Sequence, residues 1–204
     1  MQLIDTHCHL DVADFDPDRA RVLASAREQG VSDIVVPAID RAGWPGLLGL
    51  CAGDAGLHPA LGLHPVYMER HGVGDVDALA RALVEHCPLA VGEIGLDFHM
   101  ATGDDARTRQ RELCAAQLAL AADAGLPVLL HVRKAHDAML ALLRGAGLRG
   151  GIAHAFNGSL EQAHKYLELG FRLGFGGMLT FERSSRLRRL AAELPLEAIV
   201  LETD

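Results

Sequence analysis

Short apolar segments rich in valine, isoleucine, leucine and glycine recur along the chain, and they alternate with segments whose apolar residues follow helical spacing. This alternation is typical of βα units built around a parallel sheet. Eight strands are predicted, beginning near Leu3, Asp33, Pro59, Leu89, Pro127, Gly150, Phe171 and Ala198. Successive strand starts lie 21 to 38 residues apart, so each interval has room for one strand and one helix.

Helix-forming segments between the strands carry start and stop signals. Pro17 follows an aspartate and predicts a helix start, and Gly30 predicts the end of that helix. Further helices are predicted over residues 104–124 and over residues 160–169, the latter capped by Ser159. No proline-rich or serine-rich linker divides the chain, so we expect a single domain over residues 1–204.

Eight parallel strands with intervening helices predict a (β/α)8 TIM barrel. The eighth predicted strand runs to Asp204, where the sequence stops, so the final helix of such a barrel is lacking. We therefore expect a C-terminally incomplete barrel in which the outer face of strand eight is exposed or covered by a neighbouring chain.

Composition and charge narrow the class of protein. Of 204 residues, 50% are apolar and 23% charged, which excludes a disordered or low-complexity chain. A net charge of −8 excludes a generally basic protein that coats nucleic acid. No apolar run approaches the ~20 residues of a membrane span, and no secretory signal precedes the first strand. We expect a cytoplasmic protein without membrane contact and, since its four cysteines lack close pairing, with reduced thiols.

Ligand-type side chains end several of the predicted strands. In a TIM barrel the C-terminal strand ends meet at one mouth, where the reactive residues lie. Alternate residues of a strand share a face, so two histidines separated by one residue can reach the same ion. A buried, hydrogen-bonded core histidine is the ordinary alternative for each imidazole taken alone. The coincidence at five strand ends favours metal binding by His7, His9, Glu93, His131, His154 and Asp204.

Six such ligands exceed the needs of one tetrahedral catalytic site, and they suffice for two ions. If Glu93 bridges, then His7, His9 and Asp204 complete one site, and His131 and His154 complete the other. The donor set predicts two divalent ions, with zinc, manganese, magnesium, iron or nickel as candidates. Two ions with a water between them form a hydrolase centre.

Five motifs cover the strand ends that carry these residues. They are IDTHCHLD at 4–11, LGLHP at 61–65, GEIGLD at 92–97, HAFNGS at 154–159 and LETD at 201–204. In this order they closely resemble the TatD family of metal-dependent deoxyribonucleases, nearly from end to end of the chain. The resemblance implies an amidohydrolase-like barrel, DNA hydrolysis with divalent metals, and the same six ligands. Members of the family generally continue beyond the last motif.

A mechanism follows as a hypothesis. Two bound metals would lower the pKa of a water, Asp204 would accept its proton, and the hydroxide would attack phosphorus in line while the P–O bond to the leaving group breaks. Side chains near the strand ends are candidates for contact with the phosphate, namely His64, Arg133, Asn157 and Ser159. Lys134, which follows Arg133 directly, is a further candidate cation. Arg133 and Lys134 could instead form a solvated helix start, and Ser159 could be a simple helix cap. Asp97 is expected to orient a ligand imidazole, or else to cap the following loop.

The sequence thus predicts a deoxyribonuclease that cleaves phosphodiester bonds of DNA, single-stranded or at its ends, with no obligate protein partner. The alternative is hydrolysis of an amide, ester or lactone, including the aminoacyl ester of tRNA, because the same chemistry attacks carbonyl carbon. The absence of lysine from residues 91–96 speaks against the amide-cleaving relatives of such barrels. A third alternative is a binding protein that keeps the fold without catalysis.

Overall fold

Eight parallel strands alternate with seven α-helices over residues 2–204, the part of the chain that the computed structural model describes. The strands are β1 Leu3–Asp5, β2 Val31–Pro37, β3 Leu57–Leu61, β4 Ala90–Asp97, β5 Val128–Arg133, β6 Gly151–Ala153, β7 Phe171–Phe175 and β8 Ile199–Leu201. The helices are α1 Arg19–Glu28, α2 Trp44–Ala52, α3 Asp75–His86, α4 Asp104–Ala124, α5 His136–Leu143, α6 Leu160–Glu168 and α7 Ser185–Glu193.

The strands pair in the order β1 to β8, each parallel to the next. The first and last strands also meet, because the Thr6 amide donates to the Leu201 carbonyl at 2.9 Å. Thr203 reinforces this seam by donating its amide and hydroxyl to the Asp5 carboxylate at 3.0 and 2.6 Å. The predicted (β/α)8 TIM barrel is therefore confirmed.

Strand β4 is buried along its whole length, as expected for a strand covered on both faces in a parallel barrel. Within the sheet β4 pairs with β3 and with β5, and Gly95 pairs with His131 of β5. Gly95 has a φ of +144°, and a Cβ at this position would lie 2.0 Å from the His131 carbonyl oxygen. Glycine is thus required for β4 and β5 to approach each other at the mouth of the barrel.

Two helix predictions agree with the structure and one start is wrong. Helix α4 spans residues 104–124 as predicted, and Ser159 caps α6 by accepting the Gln162 amide at 3.1 Å. Helix α1, however, begins at Arg19 rather than at Pro17. The Arg19 guanidinium binds the Asp16 carboxylate at 2.7 Å, so Asp16 serves an ion pair instead of the helix start.

Two apolar side chains of the first and last strands are exposed: Ile4 of β1 is 54% exposed and Leu201 of β8 is 53% exposed. None of the helices within residues 2–204 combines the length and the apolar character needed to cross a bilayer. All four cysteines are free, which agrees with the prediction of reduced thiols.

Candidate metal centre

The C-terminal mouth of the barrel gathers seven ligand-type side chains from six strands. His7 and His9 follow β1, His64 follows β3, Glu93 lies in β4, His131 in β5, and His154 and Asp204 follow β6 and β8. Each lies within a strand or in the segment that directly follows one, and parallel strands in a closed barrel all end at the same rim. All six predicted ligands therefore lie together, and His64 joins them.

Glu93 is the hub of this cluster. Its side chain is 1% exposed, and each carboxylate oxygen faces two imidazoles. Oε2 lies 3.1 Å from His7 Nε2 and 3.0 Å from His9 Nε2. Oε1 lies 3.0 Å from His131 Nδ1 and 3.2 Å from His64 Nε2. A carboxylate that faces both ways in this manner can be shared between two cations.

The charge balance of the cluster keeps Glu93 ionised. Burial alone raises the pKa of a carboxyl group, but the imidazoles of His64, His7 and His131 outweigh burial and hold the pKa of Glu93 well below its ordinary value. Glu93 acts in return on its neighbours. Burial lowers the pKa of His9, yet the contact with Glu93 more than offsets this effect and raises it. The mouth thus holds a fixed negative charge inside a ring of imidazoles.

The spacing of these atoms suits divalent cations. Two ligand atoms about 2.1 Å from one ion at a tetrahedral angle are about 3.4 Å apart. Asp204 oxygens lie 3.9 Å from His7 Nε2, 3.9 Å from His9 Nε2 and 3.6 Å from His154 Nε2. Three sets of ligand atoms fall within 4.8 Å of one another: His7, His9 and Asp204; His7, Glu93 and His154; His64, Glu93 and His131.

These sets differ in one respect from the predicted division into two sites. Among the described residues, His131 groups with His64 rather than with His154. His154 stacks on His7, with ring centroids 3.7 Å apart, and its Nε2 lies 3.9 Å from Glu93 Oε1. The reason is that the loop after β3 brings His64 directly against Glu93. His64 was predicted to contact the substrate, and it lies instead among the ligand-type residues.

Partners outside the ring fix the orientation of the imidazoles. His131 Nε2 lies 2.9 Å from Asp97 Oδ2, so Asp97 stands where an orienting residue is expected. The pKa of His131 rises to about 9, because the contacts with Asp97 and Glu93 outweigh the opposing effect of burial. Asp97 also accepts the amides of His99 and Met100 at 2.9 and 2.8 Å. Both roles weighed for Asp97, orienting an imidazole and capping the loop, are therefore compatible.

Glu202 is a buried carboxylate to which the sequence analysis assigns no role. Its Oε1 accepts the Ala155 amide at 2.6 Å and lies 3.2 Å from His154 Nδ1. A Cβ on Gly174 would lie 2.0 Å from Glu202 Oε2, so glycine makes room for this side chain. Glu202 stands two residues before Asp204 in the LETD segment, and this closeness to a predicted ligand is the signal that could have found it.

Replacing Glu202 by glutamine is expected to weaken metal binding and hydrolysis by about 10- to 100-fold. The change removes the negative charge beside His154 Nδ1, and outer partners of ligand histidines have effects of this size. Metal affinity is measured by titration of metal-depleted protein, and Glu197→Gln in the exposed turn before β8 is the matched control. Equal affinities in Glu202→Gln and the control would show that His154 needs no such partner.

Two cavities open beside the barrel mouth. The first, about 510 Å³, is lined by Tyr67, Arg70 and the side chains of the cluster, His64 included and the fully buried His7 excepted. The second, about 600 Å³, is lined by Asn157 and Ser159. Arg133 is exposed at the end of β5 and lines neither cavity. Of the four residues predicted to contact substrate, only His64 therefore lies against Glu93.

A buried carboxylate ringed by imidazoles at the mouth of a (β/α)8 barrel defines the class of metal-dependent hydrolases. The sequence model of the family described as TatD related DNase matches residues 4–204. The chain belongs to this family.

Proteins similar to this chain are named as a metal-dependent hydrolase and as an exonuclease. A protein of Escherichia coli strain K12, named uncharacterized metal-dependent hydrolase YjjV, is 42% identical over 208 residues that cover 100% of this chain and 79% of YjjV. The crystal structure of YjjV superposes with a TM-score of 0.92 over 99% of this chain and 78% of that one, at 41% identity. A Pantoea protein named 3'-5' ssDNA/RNA exonuclease TatD is 32% identical over 214 residues, 99% of this chain and 78% of that protein.

Proposed function

We propose that this hydrolase cleaves phosphodiester bonds of single-stranded DNA, working at strand ends. The observation that carries the proposal is the arrangement of four imidazoles around both oxygens of the buried Glu93, at distances of 3.0 to 3.2 Å. This arrangement can hold two cations side by side, which is the usual centre for hydrolysis of phosphate esters. The name of the Pantoea relative, an exonuclease of single-stranded DNA and RNA, supports the same substrate class.

The donor set fits two divalent ions. His7, His9, His154 and Asp204 would hold one ion, His64 and His131 the other, and Glu93 would be shared between them. Nitrogen and carboxylate donors of this kind suit zinc, manganese, iron or nickel, and magnesium with retained waters. When bound, the ions lower the pKa of a water molecule and offset the negative charge of the phosphate.

The chain itself supplies proton transfer and orientation. Asp204 is half-exposed, its carboxylate faces the cavity, and its backbone amide is held by the His7 carbonyl at 2.8 Å. A carboxylate in this place can accept at Oδ1 or Oδ2 the proton of the water that attacks phosphorus. Tyr67 lines the same cavity, with its ring centroid 5.4 Å from that of His64, and it would confine the substrate there.

A substrate panel tests the proposal. Purified protein is depleted of metal with a chelator, reloaded with Mn²⁺ or Mg²⁺, and incubated with end-labelled single-stranded DNA, duplex DNA, RNA, aryl esters and small amides. We expect shortening of the single strand from its ends, dependence on added metal, and no turnover of amides. The same panel run with Glu93→Gln excludes a contaminating nuclease.

Turnover of the carbonyl esters or amides without shortening of DNA would overturn the proposal. Deacylation of an aminoacyl-tRNA without cleavage of its phosphodiester bonds would do the same, because the nucleic acid would then be bound and not cut.

A further inference from the structure

The second cavity lies next to the metal centre but shares none of its ligands. Lys134 and Asn157 line it, and each stands three residues after a ligand-type histidine, His131 in β5 and His154 after β6. Three residues span at most about 10 Å of chain, so the two cavities are neighbours across the ends of β5 and β6. A polymeric substrate placed at Glu93 would therefore reach the second cavity with its next unit.

Cations without carboxylate partners face this cavity. Lys134 and Arg186 line it, and neither makes a salt bridge within residues 2–204. The other lysine of the chain, Lys165, is paired with Glu161 at 2.6 Å. In a chain of net charge −8, two cations without a carboxylate partner beside the metal centre indicate a place for an anion.

The one carboxylate that lines the cavity is already engaged. Asp137 accepts the Gln162 side-chain amide at 2.9 Å, and Gln162 is in turn part of the capping box of α6. Asp137 is therefore held toward α6. Phe98 also lines the cavity. The guanidinium carbons of Arg107 and Arg111 lie 5.3 and 4.9 Å from the centroid of its ring, so further positive charge is close to the cavity.

The rim of the cavity is built rigidly. Arg186 donates to the carbonyls of Asn157 and Gly158 at 2.7 and 2.8 Å. His136, 8% exposed, contacts Asn157 Oδ1 at 3.2 Å and the Tyr166 hydroxyl at 3.3 Å. These contacts fix the loop after β6 relative to α5 and α7. Of the two cations that line this cavity, Lys134 is the one whose head group makes no hydrogen bond or salt bridge within residues 2–204. Its side chain can therefore reorient toward a bound ligand.

We propose that the second cavity binds the phosphate adjacent to the scissile bond of a single-stranded nucleic acid, with Lys134 as its principal cation. The inference rests on the proposed function and adds to it a substrate requirement. Strands with a second phosphodiester should be processed more efficiently than a dinucleoside monophosphate, which has only the bond to be cut. Ser159 and Asn157 then act at this neighbouring phosphate and not at the reacting one.

The test compares two substrates in Lys134→Gln and in the matched control Lys165→Gln. For an oligodeoxynucleotide, Lys134→Gln is expected to raise KM about fivefold at low salt, since one charge-assisted contact is lost. For the dinucleoside monophosphate, kcat/KM should stay unchanged. The slope of log KM against log salt concentration should become shallower by about 0.7, the value for one phosphate contact with a single strand. Lys165→Gln should resemble wild type throughout.

A second measurement needs no turnover. The wild-type protein is acetylated at its lysines in chelator, with and without the oligodeoxynucleotide, and the two sites are quantified by mass spectrometry. Protection of Lys134 with no protection of Lys165 supports the inference. Labelling of Lys134 that is the same with and without the oligodeoxynucleotide, or an equal loss on both substrates in Lys134→Gln, overturns it.

Failure of the proposed function gives a different result. In that case wild type cleaves neither substrate, while protection of Lys134 by the oligodeoxynucleotide still reports whether the cavity binds a polyanion. If both substrates are cleaved and Lys134→Gln has no effect on either, the inference about the second cavity is wrong and the proposed phosphodiesterase activity is supported.

Discussion

Replacing Glu93 by glutamine is expected to lower kcat/KM for metal-dependent hydrolysis, measured on the proposed single-stranded DNA substrate, by at least about a thousandfold, the loss that about 4 kcal/mol of transition-state stabilisation represents. The substitution keeps the size of the side chain and removes its charge. An amide nitrogen would then face one of the pairs of imidazoles that now meet carboxylate oxygens at 3.0 to 3.2 Å. Since an amide nitrogen does not bind a metal ion, the shared ligand is lost.

Metal content and imidazole charge should change together in Glu93→Gln. Glu93 helps to raise the pKa of His9 and of His131, so both pKa values are expected to fall in the variant. Metal bound per chain is measured by mass spectrometry after gel filtration, and hydrolysis by release of labelled nucleotide. Glu168→Gln, at the exposed end of α6, is the control. A Glu93→Gln protein that keeps both its metal and a tenth of its activity would disprove the central role of this residue.

Replacing Gly95 by alanine is expected to lower the free energy of unfolding by at least about 3 kcal/mol. The added methyl group would lie 2.0 Å from the His131 carbonyl oxygen, and a φ of +144° disfavours any side chain. Relief of the clash requires β5 to move away from β4, and His131 moves with it. Because about 1 kcal/mol corresponds to roughly 2–4 °C at this chain length, the melting temperature should fall by about 6–12 °C.

Gly49→Ala is the matched control for this experiment. Gly49 lies inside α2, and a Cβ there would meet nothing within 4 Å, so alanine should stabilise the helix by about 0.5–1 kcal/mol. Urea denaturation followed by circular dichroism gives both values. Coinciding midpoints for Gly95→Ala and wild type would show that the contact of β4 with β5 is loose.

Much of the fold could be predicted because barrel strands and helices leave different patterns. Strand β4, apart from Glu93 and Asp97, carries apolar residues and glycine without alternation, and α4 is bounded by an aspartate pair and by Gly125, whose φ of +65° ends the helix. The start of α1 could not be predicted correctly, because Asp16 has two uses that look alike in sequence. It can cap a helix or pair with Arg19, and only the packing of the loop after β1 decides between them.

Some residues of the candidate site could likewise be predicted from the sequence, and others could not. Residues at strand ends, such as His131 and Asp204, could be located because the barrel imposes a common rim. The position of His64 could not, since a loop residue follows no periodicity and its contact with Glu93 depends on the path after β3. Asn157 and Ser159 do lie near the mouth, but the turn after β6 directs them to the second cavity.

Because the seam between β1 and β8 joins the two ends of the described chain, we expect this centre to assemble late in folding. Thr203 and Asp5 are 198 residues apart in sequence, yet their contact aligns the histidines after the first strand with Asp204. Contacts so distant along the chain form slowly, because a long loop must close before they stabilise anything. A chain still being synthesised, or one cut in the middle and separated, would have imidazoles but no assembled ring. We therefore expect the chain to bind metal at this centre only after the whole barrel has closed.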